Sequence, residues 1–290
     1  MSRILQIAGR TGCAFLDLIL LPFLAGITCI QIVYHKIISK EAFLTIWKKE
    51  WKAFLPTYLF DSTLLSVLRV MAVFGGSKKE SVIANYENNR IVWQDEDLQR
   101  KLFDEQRRYL EYQSRMNTLS YGTTRPGLDR LLFGGKETLN AGLNSCEVIA
   151  VYNALTALED NVQTSFPELL SYFERKGMVL SGYFGTAPDS IHAYLRKHYQ
   201  TKMIIGRWIR PESLQKLAAE YTVFIMTVYN DKTDITKEIH TMCITAKNGR
   251  YHVHNSGMRS SFKSLSLAIE SYNDKKARPI CVIGIRSEAG

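Results

Sequence analysis

The sequence predicts an α+β fold: a helix-rich half followed by an antiparallel sheet, with an apolar helical region in front. Three observations carry this. Residues 1–76 are strongly apolar, residues 77–135 are polar and charged, and the remainder holds helical patterns first and strand-like runs afterwards. Helices and strands that are segregated along a chain, instead of alternating, are the order expected of an α+β domain. The chain therefore divides at 1–76, 77–135 and 136–290.

The first region contains a run from Cys13 to Tyr34 of about 22 mainly apolar residues. As a helix it would extend roughly 30 Å, enough for the hydrocarbon core of a bilayer. Asp17, Pro22 and Gln31 interrupt the run. Phe43 to Phe74 follows, with Trp47, Trp51 and Tyr58 beside Lys48, Lys49 and Lys52. Tryptophan next to lysine suits a membrane interface, and equally an amphipathic helix pair packed on a neighbouring domain. Residues 11–76 thus offer either a membrane contact or a soluble helical hairpin, placing the protein in the cytoplasm or at a membrane. No A-x-A-like cleavage site clearly follows the run, which argues against a cleaved signal peptide.

In the middle region, Gly75-Gly76-Ser77-Lys78-Lys79 reads as a hinge. Asp95 to about Met116 reads as a charged helix with Leu98, Leu102, Phe103, Leu110 and Tyr112 as a partial apolar stripe. It is a solvated helix leaning on the next domain or, in a sharper reading, a pro-segment over its cleft. Thr123-Thr124-Arg125-Pro126-Gly127 marks a loop.

The last region opens with a helix from about Ser145 to Leu158 that is apolar on nearly every side, which makes it a central, buried helix. Asn144 and Glu147 have capping-box spacing at its start. Phe166–Lys176 follows Ser165 and ends at Gly177. A third helix starts near Pro188, and a fourth spans about Pro211 to Glu220. Strand-like runs come next at Tyr221–Val228, Ile239–Ala246, Arg250–Asn255 and Pro279–Arg286. Lys247-Asn248-Gly249 is a tight-turn signal joining the middle pair into a hairpin.

A formal charge of +9 invites a nucleic-acid partner. The basic residues are interleaved with acids, however, and no arginine-rich arm or finger is present, so solubility or anionic lipid explains the charge more simply. Five cysteines are scattered without CxxC or paired-histidine spacing. That pattern argues against a disulfide framework or a zinc site, and no cofactor is expected. His252 and His254 share a strand face but have no Cys, Asp or Glu at ligand spacing.

What remains is Cys146 at the mouth of the buried helix. Helix-start N–H groups and the helix dipole there would favour a thiolate, although cysteine is also a common structural core residue. A nucleophilic thiol needs an imidazole in reach, and the imidazole needs a group that fixes its tautomer. His240 opens one strand of the hairpin and Asn255 closes the other, so the turn brings the two to the same end on neighbouring strands. The triad read from the sequence is Cys146, His240 and Asn255.

Asn-Ser-Cys-Glu on the central helix, Gly-Thr-Ala-Pro before a later helix, and the His240 and Asn255 strands together resemble the papain-like cysteine peptidases. Within them, the match is most similar to the bacterial peptidase domains that trim bacteriocin leader peptides. The likeness spans roughly residues 136–286. It implies a papain-like domain, with Cys146 as nucleophile, His240 as general base and acid, and Asn255 as the imidazole-orienting residue. That family places a glutamine six residues before the cysteine as oxyanion donor; Asn140 stands there, and Asn144 is a second candidate. Its leader peptidases also usually carry Asp at the position of Asn255. The implied activity is hydrolysis of a peptide or protein substrate through an acyl-enzyme. The alternatives are acyl or amide transfer on the same triad, and a non-catalytic binding or membrane-scaffold protein that retains the fold.

Overall fold

The computed structural model describes residues 3–59, 61–100, 127–135, 139–158, 164–183, 185–234, 238–255, 261–272 and 276–287. Its centre is an antiparallel sheet of β1 (Gln200–Ile205), β2 (Val223–Tyr229), β3 (Ile239–Lys247), β4 (Arg250–His254), β5 (Ser261–Phe262) and β6 (Arg278–Arg286). The strands lie in the order β1-β6-β2-β3-β4-β5. The expected α+β architecture is therefore present. β3 and β4 pair through Lys247 and Arg250, and Asn248 and Gly249 between them have φ of 51° and 71°. Two successive left-handed residues match the right-handed twist of the flanking strands, and asparagine and glycine adopt that conformation at least cost. β1 and β5 lie outside the strand runs read from the sequence, because one is a half-exposed edge with Thr201 and Lys202 and the other only two residues long.

Side chains alternate across a strand, so a strand buried on both faces serves two cores. On one face, Val223, Ile225, Cys243, Ile283 and Ile285 meet the helices α6 (Cys146–Leu158), α7 (Phe166–Lys176) and α8 (Pro188–Leu195). On the other, Phe224, Met226, Val228, Met242 and Ile244 meet α9 (Pro211–Glu220) and α10 (Leu265–Glu270). The short α5 (Ala141–Asn144) leads into α6. α7 begins where expected: Ser165 and Glu168 close a capping box, with the Ser165 N–H 2.6 Å from a Glu168 carboxylate oxygen. α8 and α9 each begin with a proline in the first turn.

Ahead of this domain lie α1 (Arg3–Ile38), α2 (Phe43–Tyr58), α3 (Asp61–Phe74) and α4 (Lys79–Trp93). Pro22 lies inside α1 without ending it. Among the described residues, one helical stretch, Ile19–Ile38, is long and apolar enough to cross a membrane, with 11% of its most apolar window buried in the protein. Phe23, Ile30 and Ile37 are among its exposed side chains. The joint between α2 and α3 is tied to the sheet. Arg278 of β6 donates to Asp61 (2.8 Å) and to the Pro56 carbonyl (3.0 Å), and its guanidinium lies 4.8 Å from the centre of the Tyr229 ring.

The Gly75-Gly76 hinge is corrected by its surroundings. A Cβ at Gly75 would lie 2.6 Å from the Met178 carbonyl oxygen, and one at Gly76 would lie 3.2 Å from that of Arg175. Ser181 N–H donates to the Gly75 carbonyl (3.0 Å), and Ser77 N–H to that of Glu174 (3.1 Å). These glycines allow one backbone to dock against another. α4, which no periodicity in the sequence announces, is polar along most of its length yet grips the domain through two asparagines one turn apart. Asn89 exchanges two hydrogen bonds with the backbone of Leu132 (2.7 and 2.8 Å), as a neighbouring strand would. Asn85 reaches the Gly134 carbonyl (3.1 Å) and Glu174 (2.7 Å). Leu98, Leu128, Leu131 and Phe133 belong to the same core as α6, so that core draws on the stretch read as linker. Of the charged helix expected from Asp95 to Met116, residues 96–100 are helical and Asp95 Oδ1 accepts the Leu98 N–H (3.2 Å). Its remainder, with the Thr123–Pro126 part of the loop, lies outside the described residues.

Glu174 is fully buried. One carboxyl oxygen accepts from Asn85 and from the Gly134 N–H (2.7 Å each), and burial pushes its pKa up to about 7. An acid whose pKa is higher folded than unfolded holds its proton more tightly in the native state. Its contribution to stability is complete below its ordinary value near 4.5 and is lost as pH rises through about 7. In urea unfolding between pH 5 and 8, Glu174→Gln is therefore expected to gain roughly 3 kcal/mol on the wild type. A difference independent of pH would show that Glu174 has the same pKa in the native protein as in the unfolded chain.

Candidate active site

The site forms where β4 leaves the sheet. Pairing between β3 and β4 ends at Cys243 and His254. Asn255 then turns away with φ of 63°, a left-handed conformation that asparagine tolerates better than most residues. The edge of β3 that β4 vacates is occupied by the start of α6. Asn255 Nδ2 donates to the Thr241 carbonyl (2.9 Å) and to the Cys146 carbonyl (3.1 Å), so one amide ties the strand to the helix. His240, next to Thr241, donates from Nε2 to the Asn255 backbone carbonyl at 2.6 Å. A carbonyl only accepts, so the proton sits on Nε2 and the imidazole lone pair on Nδ1.

Cys146, His240 and Asn255 thus meet in one buried cluster, with 6%, 8% and 4% of their surface exposed. Asn255 acts differently from expectation: its backbone oxygen, not its side chain, holds the imidazole, and its side chain holds Cys146 and Thr241. Burial lowers the pKa of His240 and the bond to Asn255 opposes that shift, so the ring is neutral at pH 7. The expectation of a helix-start thiolate is corrected. Burial first, and then the charge of Glu147, hold the Cys146 thiol well above its ordinary range, against the backbone N–H groups of Thr241 and Glu147.

The capping box at Asn144 does not form either. Asn144 gives both amide hydrogens away, to the carbonyls of Phe133 (2.9 Å) and Gly182 (2.7 Å), which leaves it no donor for an oxyanion. Ser145 accepts the first backbone bond of α6 and turns its hydroxyl to the Ala141 carbonyl (2.6 Å). Asn140 stands at the start of α5, and its side-chain oxygen is buried without a hydrogen-bond partner among the described residues. Asn140 therefore remains as the side-chain oxyanion candidate, beside the Cys146 N–H.

Two residues of the site escaped the sequence reading. Tyr272 stacks on the His240 ring, with centroids 6.2 Å apart and planes at 17°, and its hydroxyl donates to Asn230 (3.1 Å). Burial and then the nearby Cys146 push its pKa up to about 12, so it is a neutral phenol. Nothing in the sequence around Tyr272 marks it, since only the fold carries residues beyond α10 back to β3. Glu147 had a capping role on paper; in the structure it is a buried carboxyl beside the sulfur. Among the described residues no group of three or more His, Cys, Asp or Glu is placed to hold a metal ion. His254 is bonded to Thr245 (2.8 Å) instead.

No protein-family model, curated protein or solved structure matches this chain.

Proposed function

We propose that the protein is a thiol hydrolase of papain-like type, acting on a peptide or protein substrate through an acyl-enzyme on Cys146. The observation that carries this reading is the hydrogen bond from His240 Nε2 to the Asn255 carbonyl, which leaves Nδ1 as the basic nitrogen in the cluster that holds Cys146. In the proposed reaction Nδ1 takes the thiol proton as sulfur attacks the scissile carbonyl. The imidazolium returns that proton to the leaving amine as the C–N bond breaks. Water, deprotonated by the same nitrogen, then cleaves the thioester and restores the thiol. The Cys146 N–H and Asn140 are the proposed oxyanion donors.

The proposed setting is a membrane surface. The Ile19–Ile38 stretch is apolar and largely exposed, and Lys48 and Lys49 are exposed on α2 beside half-exposed Trp47. That is a suitable flank for an anionic headgroup layer.

The test is cleavage of an unstructured peptide mixture, read as new amino termini by mass spectrometry. Cys146→Ala is expected to abolish cleavage and His240→Ala to lower it about 10²–10⁴-fold. Equal cleavage by the wild type and by folded Cys146→Ala would overturn the reading. Amide products formed with an added amine would convert it to acyl transfer. Absence of both products, with the wild type folded, would favour a binding or scaffold role.

A further inference from the structure

We propose that α1 lies in the plane of an anionic membrane, with one face in a single leaflet and with both its ends and the sheet domain on the same side. This fixes the mode of the membrane contact proposed above, and it does not depend on the chemistry of Cys146.

The face is set by helix geometry and by what α2 and α3 cover. Successive residues of a helix point about 100° apart. On that count Phe23, Ile27, Ile30, Tyr34 and Ile37 fall within roughly 40° of one direction. All five are exposed, from 44% at Ile27 to 77% at Ile37. Asp17, Thr28 and Ile32 point to the far side and are only 1–2% exposed, where α1 packs on α2 and α3. The Thr28 hydroxyl is spent on the Leu24 carbonyl (3.0 Å). A helix facing water would turn its polar side outward; α1 does the reverse.

The surroundings identify what covers this face. From Lys36 to Lys52, across the turn between α1 and α2, five lysines meet only two glutamates. Lys36, Lys40, Lys48 and Lys49 are exposed, and one of the glutamates, Glu50, lies 2.9 Å from His35 Nδ1. Phe43 and Trp47 are exposed beside them, with ring centres 5.9 Å apart. An apolar face bordered by aromatic rings and lysines suits an acyl layer under anionic headgroups.

Ile19–Ile38 is long enough to cross a bilayer, but its packing leaves no room for lipid on every side. α2 runs back along α1, since His35 meets Glu50 across the hairpin. Six residues beyond Glu50, Pro56 therefore stands opposite the turn around Cys29, in the middle of the stretch. That is where the sheet is attached: Arg278 donates to the Pro56 carbonyl (3.0 Å) and to Asp61 (2.8 Å). Lys52, between the two levels, pairs with Asp234 of the domain (3.2 Å). A bilayer wrapped around the stretch would engulf Arg278, Asp61, Lys52 and Asp234 together with the end of the sheet, a costly burial of charge. Entry by one face leaves all four outside the lipid.

The experiment uses the full chain with an epitope at the amino end of α1. The wild type is expected to sediment with phosphatidylcholine vesicles, and more tightly when phosphatidylglycerol is added. Ile30→Glu should weaken that binding about ten- to a hundredfold, the worth of an isoleucine withdrawn from lipid. Lys48→Gln and Lys49→Gln should each weaken it about fivefold, on the anionic vesicles only. In sealed inside-out membrane vesicles from bacterial cells expressing the chain, added protease should remove the epitope and digest the domain alike. Digestion of one with protection of the other would establish a span, overturning the inference while leaving the membrane setting intact. Failure of the folded wild type to bind vesicles would overturn both. If Ile30→Glu instead dissolves a dimer and leaves vesicle binding unchanged, the face belongs to a second copy of the chain and the inference is overturned. None of these readouts requires peptide cleavage, so they are independent of the hydrolase reading.

Discussion

Arg278→Ala is expected to destabilise the protein by about 2–4 kcal/mol, read as a fall in the urea midpoint. Asp61 is only 7% exposed, and the ion pair with Arg278 opposes the upward shift that burial imposes on its carboxyl. Removing one partner of a buried pair strands the other charge, at a cost of about 3–5 kcal/mol. The lower range applies here because nearly a third of the Arg278 side chain, 31%, remains in solvent. The same arginine also covers the Tyr229 ring and the Pro56 carbonyl. Asp61→Asn should recover part of the loss when added to Arg278→Ala, since it deletes the stranded charge. Strict additivity of the two substitutions would show that the pair is not coupled.

The second large effect is expected at Asn255. Aspartate is nearly the same size and shape as asparagine, so Asn255→Asp would look conservative. The hydrogen bonds argue otherwise. Both amide hydrogens of Asn255 are given to carbonyls, on Thr241 and Cys146. A carboxylate would set an acceptor oxygen against both carbonyls in a buried pocket, costing at least the roughly 1–3 kcal/mol of an unmet buried group at each carbonyl. Asn255→Asp is therefore expected to be less stable than Asn255→Ala, and less active if the site is catalytic. The difference should narrow at low pH, where a protonated aspartic acid can donate one bond. Wild-type-like stability of Asn255→Asp would show that the two hydrogen bonds from the Asn255 amide nitrogen contribute little to stability.

How the site was legible follows from these residues. His240 and Asn255 could be brought together on paper because Asn248-Gly249 fixes a hairpin, and a hairpin fixes which positions on its two strands are neighbours. Cys146 was legible because an apolar helix must be buried and its first turn is easily found. The partner atoms were not. Whether Asn255 offers its side chain or its carbonyl depends on a left-handed turn that lies beyond the last paired residue. The burial of Glu147 depends on Gly185, from a separate segment. α4 escaped because it docks through asparagine hydrogen bonds, which leave no hydrophobic period to detect. β1 escaped because an edge strand needs only half of its side chains to be apolar.

The Asn89–Leu132 exchange also bears on how the chain can be divided. A primary amide that gives and takes one hydrogen bond presents to the backbone the same pair of groups as the next strand of a sheet. Leu132 therefore has its outward-facing N–H and carbonyl capped by a helix instead of offered to another molecule. A fragment begun between the end of α4 and Leu131 would uncover that pair beside the apolar side chains of Leu131 and Phe133. It would acquire a short adhesive edge of the kind that recruits foreign strands. The polar helix is thus the seal on the domain's open side, and it belongs to the smallest unit that should fold without aggregating.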